Sequence, residues 1–123
     1  LSVLRAVGVI GVPGDRTDEQ IYNIGVKCAE IFSKVYIKED SDLRGRAPGE
    51  VANILYNGLV SANYNPDNIK IILSEVDALR TAISEAKNGD FITFFYEELD
   101  PAIDLVNELQ KEQINKSSMA LIS

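Results

Sequence analysis

Charged side chains that could do chemistry are concentrated in four short segments, each of which follows an apolar run. The segments are PGDR at 13–16, EDSDLRGR at 39–46, SEVD at 74–77 and EELD at 97–100. Carboxylates can hold a cation or move a proton, and arginines can grip a phosphate or a carboxylate with two hydrogen bonds. The chain has no histidine and a single cysteine, Cys28. It therefore lacks the groups for Ser/His or Cys/His catalysis and for thiol or imidazole metal sites.

The first segment lies in the glycine-rich stretch VGVIGVPGDRTDEQI, with glycines at 8, 11 and 14. This spacing is neither the dinucleotide-binding G-x-G-x-x-G pattern nor a P-loop, because no G-K-[ST] follows. In one interpretation it is a tight strand-to-helix turn, with Asp15 making a local cap and Arg16 in solvent. In the other, the helix amides and Arg16 hold an anion while Asp15 accepts hydroxyl protons.

The second segment, KEDSDLRGRAPGE, alternates carboxylates and guanidiniums within a few residues. Arg44 and Arg46 straddle a glycine and could grip a carboxylate or a phosphate, while neighbouring acids could accept a cationic group. The alternative is a solvated loop whose opposite charges pair with each other. Asp40 and Asp42 do not form a calcium loop, because Arg44 falls where another oxygen ligand is needed, so we expect no metal site.

Apolar periodicity predicts strands at 4–12, 35–37, 69–73 and 91–96, each followed by an amphipathic helix. Thr17 and Ser74 are expected helix caps, and Pro48 suits the first turn of the second helix. This alternation predicts a three-layer Rossmann-like α/β domain, a mainly parallel sheet with helices on both faces. Ligands of such sheets bind beyond the carboxyl ends of the strands, where all four charged segments would lie. The polar stretch from about 113 to 123 predicts a weakly ordered tail.

The 123 residues and net charge of −7 fit one acidic domain. This charge disfavours nucleic acid and anionic membranes as partners, and no apolar run reaches the roughly 20 residues of a membrane span. With its single cysteine the chain fits a reducing, cytoplasmic location. It begins with Leu1 rather than Met, so we expect a piece of a longer protein. The sequence leaves a homo-oligomer open.

Four motifs carry a family resemblance: GDRTD at 14–18, KEDSDLRGR at 38–46, EVDALRTAISEA at 75–86 and NGDFITFFYEEL at 88–99. In this order and spacing they resemble the C-terminal domain of the Mur ligase superfamily, over roughly residues 5–107. Within that superfamily, the stretches GVPGDRTDEQI, IKEDSDLRGRAPGEVA and GDFITFFYEEL are most similar to the C-terminal region of the cyanophycin synthetases.

The resemblance implies one domain of an ATP-dependent amide ligase that builds an aspartate and arginine polymer. In such enzymes ATP converts a carboxylate to an acyl phosphate, which the incoming amine attacks. This domain would close as a lid, while another domain holds most of the ATP and Mg²⁺. Its partners would be the other domains of the ligase, the amino-acid substrate and the polymer acceptor. We expect no catalytic residue in this chain alone and no activity from it in isolation.

The resemblance also assigns roles by position. Asp15 is expected near the ribose of the nucleotide and Arg16 near its phosphates. The residues expected to seat the incoming amino acid or the acceptor end are Asp42, Arg44 and Arg46. The carboxylates available for an arginine guanidinium, by charge complementarity, are Asp40, Glu75 and Glu97. The alternative function is a free-standing, non-catalytic α/β module that binds a small ligand or regulates, which a native protein starting near residue 1 would favour.

Overall fold

A five-stranded parallel sheet lies between two layers of helices in the computed structural model, which describes residues 5–97, 99–112 and 117–122. The elements are β1 (Arg5–Ile10), α1 (Asp18–Ile31), β2 (Lys34–Ile37), α2 (Glu50–Ser61), β3 (Ile69–Ile71), α3 (Glu75–Glu85), β4 (Asp90–Phe95), α4 (Leu99–Glu112) and β5 (Ser117–Ile122). The strand order is β3-β2-β1-β4-β5. The predicted Rossmann-like α/β class is confirmed. Among the described residues, no helix has the length and apolarity to cross a membrane.

The sheet has a separate apolar core on each face. Alternate residues of β1 point to opposite sides. Val7 and Val9 pack with buried residues of α3, and Leu105 of α4 joins the same core. Ile10 packs on the other face, with buried residues of α1 and α2. Because both faces are covered, the central strands are apolar throughout rather than alternating, which is why they read as continuous apolar runs in the sequence.

Two of the helices begin at the predicted caps. Thr17 Oγ1 accepts a hydrogen bond from Gln20 N at 3.1 Å, and Gln20 Oε1 accepts one from Thr17 N at 3.0 Å. Ser74 Oγ accepts from Asp77 N at 3.2 Å. The start of α2 differs from the prediction, because Pro48 lies just before the helix and the N-cap is Gly49, with a φ of 87°.

The fifth strand differs from what the sequence predicts. Residues 113–123 read as a weakly ordered tail, whereas Ser117–Ile122 pairs with β4 in parallel, from Asp90 opposite Ser117 to Phe95 opposite Ile122. The segment SSMALI has one β-branched residue and no alternation, so its local signal is weak. Its pairing depends on the free edge of β4, which is a non-local feature. Residues 113–116 and 123 of the predicted tail lie outside the described residues.

An ion cluster lies at the amino end of the sheet, away from the charged loops. Glu85 accepts hydrogen bonds from Lys70 Nζ and from Tyr36 Oη, each at 2.6 Å, and Lys34 Nζ lies 3.6 Å from it. The bond from Lys70, then the bond from Tyr36, lower the pKa of Glu85 to about 2. The carboxylate is therefore ionised in the folded chain at pH values where it is partly protonated in the unfolded chain.

This cluster predicts an acid-dependent loss of stability. Since the folded pKa of Glu85 lies below its ordinary value of 4.5, its contribution is complete above about pH 4.5 and is lost as the pH falls towards 2. Urea unfolding of the wild type and of Glu85→Gln, at several pH values between 7 and 2, should give curves that converge in this window. Glu30→Gln, at an exposed position of α1, is the control. A Glu85→Gln curve that runs parallel to the wild type would contradict the prediction.

Candidate functional site

The carboxyl ends of the strands carry the four charged segments, so all the predicted site residues lie at one edge of the sheet. The strand order reverses between β1 and β4, and the edge at such a reversal is where open α/β sheets bind their ligands. We name three loops for the strands they follow: the β1 loop (residues 11–17), the β2 loop (38–49) and the β3 loop (72–74). Tyr96 and Glu97 follow β4 directly.

Arg46 joins the β1 loop to the β2 loop. Its Nε donates to Gly14 O at 2.8 Å and its Nη2 to Arg16 O at 2.7 Å. Its Nη1 lies 2.7 Å from both Asp18 Oδ1 and Glu50 Oε2. Only 15% of the side chain is exposed. The donors of Arg46 are thus occupied by contacts within the chain, which suits a structural connection better than the ligand contact expected from the sequence.

Arg44, two residues earlier, is half exposed and pairs with carboxylates on both loops. Its Nη1 lies 3.0 Å from Asp15 Oδ2, and its Nε lies 2.9 Å from Asp42 Oδ2. Its own φ is 51° and that of Gly45 is 85°, so the chain turns sharply here and glycine is the residue that tolerates this conformation. Opposite charges of this segment therefore do pair, as in the second interpretation, although Lys38 and Glu39 at its start are buried rather than solvated.

Two glycines of the G-x-x-G-x-x-G pattern are needed because the β2 loop packs directly against the β1 loop. A Cβ at Gly14 would clash with the carbonyl oxygen of Leu43, a backbone atom that cannot rotate away. A Cβ at Gly11 would lie 2.7 Å from Lys38 Cε. Gly11 and Gly14 are thus explained by contacts between the two loops, whereas a Cβ at Gly8 would meet the ring of Phe32.

The Arg16 guanidinium differs from the other two arginines of the site. It is exposed, and it makes no hydrogen bond or ion pair with any residue in the described part of the chain. It lies at the start of α1, where the helix dipole also favours anions. Arg16 is therefore available to bind an anion without losing a partner in the chain.

A cavity of about 470 Å³ opens between the β2 loop, the β3 loop and Glu97. Its acidic lining residues are Glu39, Asp40, Glu75 and Glu97, and its apolar lining residues are Leu43, Pro48, Leu73 and Val76. Acids from several loops meet here as the sequence predicts, although each already has partners in the chain. Among the described residues, no group of three or more His, Cys, Asp or Glu side chains is arranged to hold a metal ion.

Lys38 contacts two of the acids that line this cavity, and it is missing from the residues singled out in the sequence. Its side chain is 1% exposed, and Nζ lies 2.9 Å from Asp40 Oδ1 and 2.6 Å from Glu75 Oε1. A lysine at the end of an apolar strand, followed by two acids, was the one available signal in the sequence. This pattern is more often a solvated strand end, which is why it is easily overlooked.

Glu97 connects the β2 loop to the end of β4 through hydrogen bonds. Its carboxylate accepts from Ser41 N at 2.7 Å, Ser41 Oγ at 2.9 Å and Asp42 N at 3.3 Å. Burial favours the neutral form, but the hydrogen bonds from Ser41 and Asp42 outweigh it and lower the pKa of Glu97. In turn, Glu97 N donates to Glu75 Oε1 at 2.8 Å.

Glu39 is a second buried residue that the sequence does not reveal. It is 6% exposed. Its two carboxylate oxygens accept from Gly49 N and Ala52 N, each at 2.9 Å, at the amino end of α2. Because Gly49 has no side chain with which to cap the helix, Glu39 caps it from ten residues away.

Comparison with known proteins gives a consistent result. The chain is 38% identical to the cyanophycin synthetase of Crocosphaera subtropica over 103 residues, which is 84% of this chain and 12% of the relative. The cyanophycin synthetase of Geminocystis herdmanii is 36% identical over 102 residues, 83% of this chain and 12% of the relative. That of Nostoc sp. is 33% identical over 117 residues, 93% of this chain and 13% of the relative. No family model matches the chain.

The chain is related to one region of the cyanophycin synthetases. The predicted resemblance to the cyanophycin synthetases is therefore confirmed, and it extends across most of the chain. The chain spans only 12% of the length of the first relatives. The similarity thus describes a domain of such a ligase.

Proposed function

We propose that this chain is the lid domain of an ATP-dependent amide ligase of the cyanophycin synthetase type. It helps to hold the nucleotide and the incoming amino acid while an acyl phosphate forms and is attacked by an amine. The observation that carries the proposal is the similarity to synthetases over more than four-fifths of the chain, matched to a small part of each relative. The other domains of the ligase, the amino-acid substrate and the polymer acceptor are then its partners.

The proposed nucleotide contacts are Arg16 and Asp15. The exposed Arg16 guanidinium, which has no partner among the described residues, suits the phosphates of ATP. Asp15 is 53% exposed and pairs with Arg44 through one oxygen, Oδ2, so it can also accept a ribose hydroxyl. We assign Mg²⁺ mainly to another domain of the synthetase, as the resemblance to such ligases implies.

The proposed amino-acid site is the acidic cavity. Its volume of about 470 Å³ lies within the roughly 300–1,000 Å³ typical of small-molecule sites. Apolar walls above carboxylates suit a side chain with an aliphatic stem and a cationic head, as arginine has. The carboxylates proposed to attract that head are Asp40, Glu75 and Glu97. Arg44 and Asp42, half exposed at the loop tip, would seat the amino-acid carboxylate or the acceptor end, and Arg46 would hold the loops in place.

The proposal is tested by exchange of domains. The matching region of the Crocosphaera subtropica synthetase is replaced by this chain, and ATP-dependent incorporation of arginine and aspartate into polymer is measured. The chimera is expected to ligate. We expect no ligation by the synthetase without this region or by the chain on its own. A chimera that folds and still binds ATP, but ligates nothing, would contradict the proposal. Tight binding of a small ligand by the isolated chain would favour the free-standing module instead.

Arg16→Ala in the chimera is expected to lower kcat/KM for ATP about tenfold or more, the usual effect of losing a hydrogen bond to a charged group. The stability of the domain should not change, because the side chain is exposed. Arg80→Ala is the matched control, since Arg80 is also an exposed arginine and lies on α3. Equal values of kcat/KM for the two variants would remove Arg16 from the nucleotide site.

A further inference from the structure

We propose that Lys38 is a positioning residue of the acidic cavity. Its buried ammonium holds the carboxylates of Asp40 and Glu75 and so fixes three chain segments around the cavity as one unit. The structural part of this inference rests on the contacts of the chain alone. Its consequence for catalysis rests on the proposed function.

The contacts around Lys38 form a closed ring. Lys38 Nζ donates to Asp40 Oδ1 at 2.9 Å and to Glu75 Oε1 at 2.6 Å. The same Glu75 oxygen accepts from Glu97 N at 2.8 Å, and the Glu97 carboxylate accepts from Ser41 N at 2.7 Å. The ring therefore runs from the β2 loop to the amino end of α3, on to the end of β4, and back to the β2 loop. Each of these segments lines the cavity.

A cation is required at the centre of this ring. The ammonium brings together two carboxylates that would otherwise repel each other at a poorly solvated position. Removing its charge while keeping its length takes away the cation that the two carboxylates share, so they are expected to move apart. Because Glu75 also accepts a hydrogen bond from the Glu97 amide, movement of Glu75 breaks that bond at the end of β4. The hydrogen bond from Ser41 N to the Glu97 carboxylate is then weakened as well.

The β1 loop provides the space for this lysine. A Cβ at Gly11 would lie 2.7 Å from Lys38 Cε and 2.9 Å from both Lys38 Cδ and the Lys38 carbonyl oxygen, so glycine leaves room for the stem and the backbone of Lys38. Lys38 is 1% exposed and cannot itself touch a ligand, whereas the acids that it holds line the cavity. Lys38 must therefore affect a ligand through those acids. We expect it to affect binding of the amino acid in the cavity and not binding of the nucleotide at Arg16.

The first test measures hydrogen exchange of single amides in the chain by NMR. In Lys38→Met, exchange at the Glu97 and Ser41 amides should rise about tenfold or more, as expected for the loss of hydrogen bonds to charged groups. The Gln20 amide, capped by Thr17, should not change. Lys70→Met is the matched control, because Lys70 forms its ion pair at the opposite end of the sheet. Wild-type exchange at both ring amides in Lys38→Met would overturn the proposal.

A second variant separates positioning from general stability. In Lys38→Met with Glu75→Gln, the glutamine oxygen can still accept the Glu97 amide, and the neutral side chain no longer repels the Asp40 carboxylate. Exchange at Glu97 should return towards the wild-type rate, which a merely space-filling role of Lys38 does not predict. If Lys38→Met does not fold, Gly11→Ala keeps the charge but displaces the stem and the carbonyl of Lys38, and it should raise exchange at the same two amides. No change there would also overturn the proposal.

The catalytic consequence is tested in the active chimera. Lys38→Met should raise KM for the amino acid by about tenfold and leave KM for ATP within about twofold. Equal rises in both would contradict positioning at the cavity. The parent chimera could be inactive while its Glu97 and Ser41 amides exchange as they do in the isolated chain. That result would contradict the proposed function and not the role of Lys38, which the exchange data test independently.

Discussion

Gly58→Ala is expected to unfold at a clearly lower denaturant concentration than the wild type, although alanine is the better helix former. A Cβ at Gly58 would collide with the backbone oxygen of Tyr22 on α1, and it would lie 3.2 Å from the Cα of Gly25. A carbonyl cannot rotate away as a side chain can, so the helices must separate. Overpacking of this kind costs about 1–3 kcal/mol, occasionally more, against a gain of about 1 kcal/mol in helix propensity. Because the obstructing atom belongs to the backbone, we take the upper end of that cost, about 3 kcal/mol, and expect a net loss of about 2 kcal/mol.

Asn57→Ala is the control for this prediction. Asn57 precedes Gly58 in α2 but is exposed, so a gain in helix propensity, somewhat smaller than that of Gly→Ala, comes without a collision. Urea unfolding should show this variant to be as stable as the wild type or slightly more so. Gly25→Ala should resemble Gly58→Ala, because its Cβ would lie 2.5 Å from Leu55 O. If all three variants unfold at the same urea concentration, the helices do not pack at this distance.

The contact between α1 and α2 also matters for the site. The β1 loop leads into α1 and the β2 loop leads into α2, so the separation of the two helices sets the separation of the two loops. Arg46 connects the two sides, because it donates hydrogen bonds to the carbonyl of Gly14 in the β1 loop and to the carboxylate of Glu50 at the start of α2. A change at Gly58, far from the charged edge, should therefore disturb the loop junction as well as the core.

Local patterns were enough to predict the order of the elements from β1 to α4. Apolar runs and capping residues such as Thr17 and Ser74 act within a few positions of themselves, and the structure has both caps. The fifth strand was not predictable in this way, because Ser117–Ile122 forms a strand by pairing with the edge of β4, which is distant in the sequence. Topology then brought the charged segments to one edge, since parallel strands all end on the same side.

The partners of each charged group could not be predicted from the sequence. Arg44 and Arg46 look equivalent in the motif RGR, yet the side chain of Arg44 is 50% exposed and that of Arg46 is 15% exposed. Lys38 and Glu39 read as part of a solvated acidic segment, yet both are buried. Burial depends on which loop packs over a residue, and that is decided by contacts far away in the sequence, such as that between Gly14 and Leu43.

The second large effect is expected at Glu39. Its two oxygens each accept one amide at the start of α2, from Gly49 and from Ala52. Glu39→Gln keeps one acceptor but turns an NH₂ group towards the other amide, so a donor faces a donor in a buried position. Loss of a helix cap costs about 0.5–2 kcal/mol and loss of a hydrogen bond to a charged group about 1.5–3 kcal/mol. We expect Glu39→Gln to destabilise the domain by about 2 kcal/mol.

The same substitution distinguishes a structural acid from a ligand-binding acid, because Glu39 also lines the cavity. As a cap, it should lower the urea midpoint and speed amide exchange at Gly49 and Ala52, whereas Glu30→Gln should change stability by no more than about 0.5 kcal/mol. As a ligand contact, it would leave stability unchanged and weaken only binding of the amino acid. Both carboxylate oxygens of Glu39 already hold amides, so the first outcome is the one that the geometry requires.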